Sequence, residues 1–299
     1  MDVTVLLTVY NGMPFLREAV GSILAQTPAD FAFLILDNGS NDGGETWLAG
    51  LKDQRLRLLR LPEPLPRTEA LNKGLTLVET AYTAIIDADD LAEPGRLAAQ
   101  TSFLDAHPEI DLLGSSVIAI DPSGAILERI NFPTDHDSLV AHLPLFNPFA
   151  HAACIFRTRT VLEAGGYPGD FPYAQDLALW ITLLRLGCRA ASLAEPLARV
   201  RFHPGQASRD ARRSKERAGD DHRLALAMLD IPGLPPASRQ AARLRAAWAL
   251  LVLRRNREAL AQVLAAVSEA PLLLPVNSLI RQRILLEIRR RLPGRHVLR

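Results

Sequence analysis

Short continuous apolar runs alternate with helix-period segments through the first half of the chain. Residues 3–8 read as a strand, and Phe15, Leu16, Ala19, Val20 and Ile23 mark a helix over about 14–25. The series continues with a run at 33–36, a helix near 45–51, a run at 56–61, a helix over 69–78 and a run at 83–86. Continuous apolar strands separated by helices predict an α/β fold, with a buried, mostly parallel central sheet flanked by helices. Turn-forming clusters follow the strands, as at Asn11-Gly12, Asp37-Asn38-Gly39-Ser40 and Asn41-Asp42-Gly43-Gly44. A helix over 94–107, a strand over 111–120 and a hairpin turn at 121–124 come next. Residues 132–150 mix prolines with a short helix, and 173–186 form a helix with Leu177, Trp180, Ile181 and Leu184 on one face. From about 209 onward the pattern is helical without strands, broken by prolines at 232–236 and 271–275. The expected organisation is an α/β domain over 1–208 and a helical appendage over 209–299.

Charge sharpens that division. The 299 residues carry a net charge of +1, but 1–208 hold 15 Lys/Arg against 25 Asp/Glu, and 209–299 hold 19 against 8. The first part is therefore −10 and the second +11, which points to an anionic partner or a docking surface for the second. The two cysteines, Cys154 and Cys188, sit in apolar surroundings away from metal-ligand spacing and suit a reducing cytoplasm. The N-terminal run lacks a basic region and a cleavage site and reads as a strand, not a signal peptide. No uninterrupted apolar stretch reaches the roughly 18 residues of a membrane span.

The chemistry gathers where the strands end. Asp87-Ala88-Asp89-Asp90 follows an apolar run, which places three carboxylates at the carboxyl end of a strand, the ligand-binding edge of open α/β sheets. Carboxylates this close repel unless something positive lies between them. A divalent cation serves, and hard oxygen ligands favour Mg²⁺ or Mn²⁺ over zinc. The first strand ends in Thr8, Tyr10 and Asn11, the second in Asp37 and Asn38, and the third leads to Arg67 and Asn72. An oxygen of Asp37 or Asn38 can accept the N3–H of uracil or thymine. Arg67 can neutralise a phosphate, and the acid cluster can hold a cation against a diphosphate. Polar groups arriving at successive strand ends favour a nucleotide site. Asp176, in the first turn of its helix, suits a base that takes a proton from an attacking hydroxyl, or alternatively a carboxylate that complements the helix dipole.

The ordered set of motifs resembles the family-2 glycosyltransferases of GT-A fold. It comprises Val3-Thr-Val-Leu-Leu-Thr-Val-Tyr-Asn-Gly12, Ser22-Ile-Leu-Ala-Gln-Thr27, Leu36-Asp-Asn-Gly-Ser-Asn-Asp42, Ala70-Leu-Asn-Lys-Gly-Leu75, Ile86-Asp-Ala-Asp-Asp90 and Pro94-Gly-Arg-Leu97. Further on stand Asn147-Pro-Phe-Ala-His151, Gly165-Gly-Tyr167, Gln175-Asp-Leu-Ala-Leu-Trp180 and Arg201-Phe-His-Pro-Gly-Gln206. The resemblance implies an inverting, metal-dependent transfer of a sugar from a nucleotide-diphosphate donor to a sugar or lipid-linked acceptor. It further implies that Thr8, Asp37 and Asn38 read base and ribose, and that Asp89 and Asp90 touch ribose and metal. Asp176 would be the general base, and His203 would complete the metal and phosphate site. Tyr10, Asn11, Arg67, Asn72 and Asp87 join the donor-binding set.

Four departures from the family pattern stand out. Asn38 replaces a common Asp, Gln175 replaces the first acid of a pair, Leu71 replaces a common Arg and Val200 replaces a common Tyr. With Asp37 and Asn38 as readers, UDP- or dTDP-linked donors are expected over GDP-linked ones. Two other readings remain: a catalytically degenerate nucleotide-sugar-binding module, and a sugar-nucleotide pyrophosphorylase, although 9–14 lack the expected Gly-rich basic phosphate loop. In the C-terminal stretch, seven arginines between 281 and 299 interleave with apolar residues. That suits either an amphipathic helix on the anionic inner face of a membrane or a surface helix packed on the protein. Few aromatics and no recognised motif argue against nucleic acid.

Overall fold

The computed structural model describes residues 2–27, 30–206 and 214–269. Its first half holds the four expected parallel strands, β1 (Val3–Val9), β2 (Ala32–Asp37), β3 (Leu56–Arg60) and β4 (Tyr82–Asp87). They are linked by α1 (Leu16–Leu24), α2 (Gly44–Ala49) and α3 (Arg67–Leu75) and lie in the order β3-β2-β1-β4. The order reverses at β1, so the crevice at its carboxyl end is the topological switch point of the sheet. Register aligns the polar strand ends: Thr8 lies beside Asp87, Val9 beside Asp37, and Asp37 beside Arg60.

Beyond β4 the sheet becomes mixed. β5 (Leu91–Ala92), α4 (Arg96–Ala106), β6 (Leu112–Ile120) and β7 (Ile126–Ile130) follow in the chain, with β6 and β7 forming the hairpin whose turn is legible at 121–124. After α5 (His136–His142) and a 3₁₀ turn (His151–Ala153) come β8 (Ile155–Arg157), α6 (Thr158–Glu163), α7 (Gln175–Arg185) and β9 (Ala190–Arg201). β8 runs antiparallel between β4 and β6, and β9 pairs with both β6 and β5. The two-residue β5 leaves β4 after a tight turn and pairs Leu91 with Arg199. That pairing curls the sheet and brings the end of β9 to the exit of β4. Neither β7, β8 nor β9 has the clean apolar run that marks a strand in sequence. β7 is mostly exposed, β8 has three residues, and β9 is interrupted by Glu195 and Pro196.

The main core forms where Val5, Leu7, Phe33, Ile35 and Ile86 meet Leu16, Val20 and Ile23 of α1 and Leu97 and Leu104 of α4. On the other side α3 approaches β1 closely, and Gly74 makes this possible, because a Cβ there would lie 2.7 Å from Leu6 Cδ1. The chain divides into two compact units, 1–139 with 149–211, and 140–148 with 212–299. The second contains α8 (Ser214–Ala227), α9 (Pro236–Val252) and α10 (Asn256–Glu269). It takes in 140–148 through Ser238 Oγ, which donates to the Ala141 carbonyl, and Arg245, which donates to the Leu143 carbonyl and pairs with Asp221. The expected boundary at 208/209 and the arginine-rich stretch 281–299 lie outside the described residues. Among the described residues no helix is long and apolar enough to cross a membrane.

Two helix glycines predict opposite effects. Gly74→Val should lose about 1–3 kcal/mol, since its branched side chain must displace the buried Leu6. Gly21→Ala in α1 meets nothing within 4 Å and should gain about 0.5–1 kcal/mol from reduced backbone freedom in the unfolded chain. Urea denaturation of both variants measures the contrast, and equal midpoints would contradict the packing argument.

Candidate active site

At the carboxyl end of β4 the three carboxylates meet three different environments. Asp87 Oδ1 accepts from Arg67 Nη2 at 2.8 Å and lies 3.3 Å from His151 Nδ1. Burial alone would raise its pKa, but Arg67 and His151 hold the carboxyl well below the usual range. Asp90 is buried, and its Oδ1 accepts the backbone N–H of Arg201 at 2.8 Å. Burial pushes its pKa well up, and the neighbouring charges of Asp89 and Asp87 add to that. Asp89 is the outward member: 30% exposed, with Oδ2 3.0 Å from His203 Nε2. Asp90, expected with Asp89 and His203 as a metal ligand, stands beside them at the end of β9, with its Oδ1 on the Arg201 backbone.

Arg201 is the frame of this corner. Fully buried, it donates from Nε to the Asp89 carbonyl, from Nη1 to the Asp121 and Pro122 carbonyls, and from Nη2 to Glu18 of α1. Its guanidinium also lies over the Phe15 ring at 4.6 Å, and Phe15 in turn meets the His203 ring at 5.0 Å. One side chain thus ties the acid turn, the β6–β7 hairpin, α1 and the histidine together. A second buried cation, Arg96, donates to the Ile85 and Cys154 carbonyls, and its neighbour Gln100 donates to the Ala153 carbonyl. Burial lowers the Arg96 pKa to about 10. This pair fixes the turn carrying His151 against β4. Both arginines stand in motifs of the sequence, Pro94-Gly-Arg-Leu97 and Arg201-Phe-His, but their framing role is not legible there.

The β1 and β2 loops lock to each other. Asn11 has φ +52, its N–H donates to Ser40 Oγ, and its side-chain oxygen accepts from the Asn41 N–H. Asp37 is buried, and its Oδ1 accepts from the Ser40 N–H at 3.0 Å. Its Oδ2 lies 3.6 Å from Arg60 Nε and has no hydrogen-bond partner among the described residues. Asn38 uses both ends of its amide on the Leu65 backbone, each at 2.8 Å, which fixes the approach to Arg67. Asn72 does the same to the Tyr167 backbone. Asn11, Asn38 and Asn72, expected at the donor, are therefore committed to holding loops. Thr8 is half-buried beside Asp87, and Tyr10 is exposed on the rim.

Asp176 is half-buried in the first turn of α7, with Gln175 buried at the helix head. Its charge helps raise the pKa of Arg67 and Tyr167, so it shares the electrostatic field of the Arg67–Asp87 pair. Burial raises the Cys154 thiol, which leaves it a packing group and not a nucleophile.

The donor set fits a hard cation that keeps most of its other ligands. Among the described residues no group of three or more His, Cys, Asp or Glu is arranged for a metal. Asp89 and His203 form a two-donor edge, and Mg²⁺ or Mn²⁺ characteristically takes one or two protein ligands, completing its shell with water and substrate phosphates.

Removing Arg201 tests the frame. Arg201→Met leaves the carbonyls of Asp89, Asp121 and Pro122 without this donor, at about 1–3 kcal/mol for each that water does not reach. Glu18 is 59% exposed, so Glu18→Gln should cost below about 1 kcal/mol. Chemical denaturation should show that large asymmetry; similar losses would mean that the ion pair, not the carbonyl clamp, carries the corner.

Comparison with known proteins agrees with this geometry. Residues 4–166 match the sequence profile of Glycosyl transferase family 2. An uncharacterized glycosyltransferase of Haemophilus influenzae is 29% identical over 229 residues, 75% of this chain and 84% of that protein. The amylovoran biosynthesis glycosyltransferase AmsE of Erwinia amylovora is 33% identical over 147 residues, covering 49% of this chain and 54% of that protein. Among solved structures, S. aureus TarS in complex with UDP-GlcNAc matches over 97% of this chain and 92% of that one, with a TM-score of 0.67 and 15% identity. At that identity the match speaks for the fold, which is GT-A. With the profile covering more than half of its length, the chain belongs to glycosyltransferase family 2.

Proposed function

We propose that the protein is an inverting glycosyltransferase that moves a sugar from a UDP- or dTDP-linked donor to an acceptor hydroxyl in the assembly of a cell-surface polysaccharide or glycoconjugate. The observation that carries this reading is the arrangement at the β4 exit. An outward Asp89–His203 pair, an Arg67 guanidinium on Asp87 and the Asp176 carboxylate share one edge of the sheet. The relatives support the biological setting, since AmsE is named for amylovoran biosynthesis and Escherichia coli WbnJ, 27% identical over 210 residues, for O-antigen biosynthesis. TarS is described with UDP-GlcNAc, and a mannosyltransferase of Pyrobaculum calidifontis with GDP-Man and Mn²⁺ (TM-score 0.60).

In this reading Asp37, at the carboxyl end of β2, is the base-reading residue, and Thr8 and Tyr10 line the nucleoside side. Asp89 and His203 would hold Mn²⁺ or Mg²⁺, which would supply positive charge to the diphosphate. Arg67 adds a fixed cation on the same leaving group. Asp176 takes the proton of the acceptor hydroxyl as its oxygen attacks the anomeric carbon and the bond to the diphosphate oxygen breaks.

Calorimetry with UDP, dTDP and GDP, each with Mn²⁺ or EDTA, tests the donor assignment. Tighter binding of UDP or dTDP with metal is the expected result; equal affinity in EDTA would remove the metal, and equal GDP binding would remove Asp37 as a pyrimidine reader. Asp176→Asn should lower turnover by ~10²-fold or more with donor affinity near wild type. Normal turnover would reduce Asp176 to a carboxylate complementing the helix dipole.

The +11 charge of 209–299 supports peripheral binding to the anionic inner face of a membrane, where each surface-proximal Arg contributes about 1 kcal/mol. Co-sedimentation should show capture by anionic vesicles that weakens with salt. No capture by such vesicles at low salt would refute it.

A further inference from the structure

Behind the acid cluster, hydrogen bonds close into a ring that returns to the helix where it begins. Arg67 Nη2 donates to Asp87 Oδ1 at 2.8 Å, and the same oxygen lies 3.3 Å from His151 Nδ1. His151 Nε2 is 3.0 Å from the Tyr167 hydroxyl. The Tyr167 backbone N–H donates to Asn72 Oδ1, and its carbonyl accepts from Asn72 Nδ2, both at 2.8 Å. Arg67 and Asn72 both belong to α3, so the circuit is closed. Direction follows from chemistry. An ionised Asp87 only accepts, so His151 Nδ1 carries a proton, and in a neutral imidazole Nε2 then accepts from the Tyr167 hydroxyl. Burial raises the Tyr167 pKa, which keeps the phenol a donor.

The ring is built tightly. His151 and Tyr167 are buried, and their rings meet edge-on at 5.8 Å. Gly166 has φ +74, and a Cβ there would lie 2.5 Å from Asn72 Oδ1, so the Asn72–Tyr167 contact requires glycine before the tyrosine. Arg67, by contrast, is 44% exposed on a long stem that carries about 2 kcal/mol of rotamer entropy. A guanidinium left to itself would sample many directions, whereas a carboxylate pinned from behind by an imidazole gives it one.

We propose that Tyr167 and His151 are positioning residues for Arg67: through Asp87 they hold its guanidinium where the donor diphosphate binds. The assignment rests on the nucleotide-diphosphate reading of the site. Neither residue touches substrate; each acts through the next member of the ring. A purely structural role for Tyr167 would affect all binding alike, and Tyr167→Phe keeps the ring packing while deleting the one hydroxyl.

The test is a double-mutant cycle on the full chain with Mn²⁺, using wild type, Tyr167→Phe, Arg67→Ala and the double variant. UDP, dTDP and GDP are read by calorimetry and uridine by NMR titration. Tyr167→Phe should weaken the preferred diphosphate by ~5-fold, leave uridine within about 2-fold, and add nothing in the Arg67→Ala background. Wild-type affinity in Tyr167→Phe, an equal loss for uridine, or a full multiplicative loss on top of Arg67→Ala would each overturn the proposal. Should Tyr167→Phe fail to fold, His151→Leu and His151→Gln take its place, with Leu reproducing the loss and Gln, which can still bridge donor and acceptor, recovering part of it. Equal behaviour of Leu and Gln overturns the proposal as well. A wild type that binds none of the three diphosphates overturns the nucleotide reading and the ring's role with it. Diphosphate binding without coupling to Tyr167 overturns the ring alone.

Discussion

Three carboxylates within four residues repel one another, and the organisation of this sheet edge follows from how that repulsion is relieved. Asp87 is neutralised by Arg67 with help from His151, and Asp90 is buried on the Arg201 backbone amide. Only Asp89 is left facing outward, with a histidine for company. The protein itself therefore supplies most of the compensation these acids need. The electrostatic argument for a metal narrows to one carboxylate and one imidazole, which is a sounder basis for a divalent ion than a crowd of acids. An ion that must also take substrate phosphates needs a partial protein shell, and a complete one would exclude them.

The same constraint explains the curl of the sheet. To place His203 opposite Asp89, the chain must return to the exit of β4 from β9, which follows it by about a hundred residues. The short β5 makes that return by pairing with β9, and Arg201 then locks it with donors to three carbonyls. Buried arginine is tolerated because its fork matches several oxygens at once. A lysine has neither the reach nor the geometry for this corner. Arg96 plays the corresponding part beneath β4, holding the turn that presents His151.

Legibility in the sequence tracked how local each determinant is. The parallel half of the sheet could be read because β1, β2 and β4 are nearly continuous apolar runs buried on both faces, with the half-exposed β3 at the edge beside them. The acid cluster, Asp37 and Arg67 could be placed at the sheet edge because each follows a strand run. The β7, β8 and β9 strands could not, since their pairing depends on partners far along the chain. The amides show the limit most clearly. Asn38 and Asn72 look like ligand-facing groups in one dimension, yet each bonds a backbone N–H and C=O across a gap of 27 and 95 residues.

That use of the amides also accounts for a departure from the family pattern. An aspartate at 38 could accept from the Leu65 N–H but could not donate to the Leu65 carbonyl, and it would bring a second negative charge beside buried Asp37. Asparagine makes both bonds with no charge to offset. The loop that leads to Arg67 is then held by a neutral clamp at Asn38 on one side and by the ionic Asp87 contact on the other. Only a group that both donates and accepts can grip the N–H and C=O of one residue in this way, as Asn38 does at Leu65 and Asn72 at Tyr167. Charge is thereby kept at the sheet edge, while neutral amides set the loops that carry it.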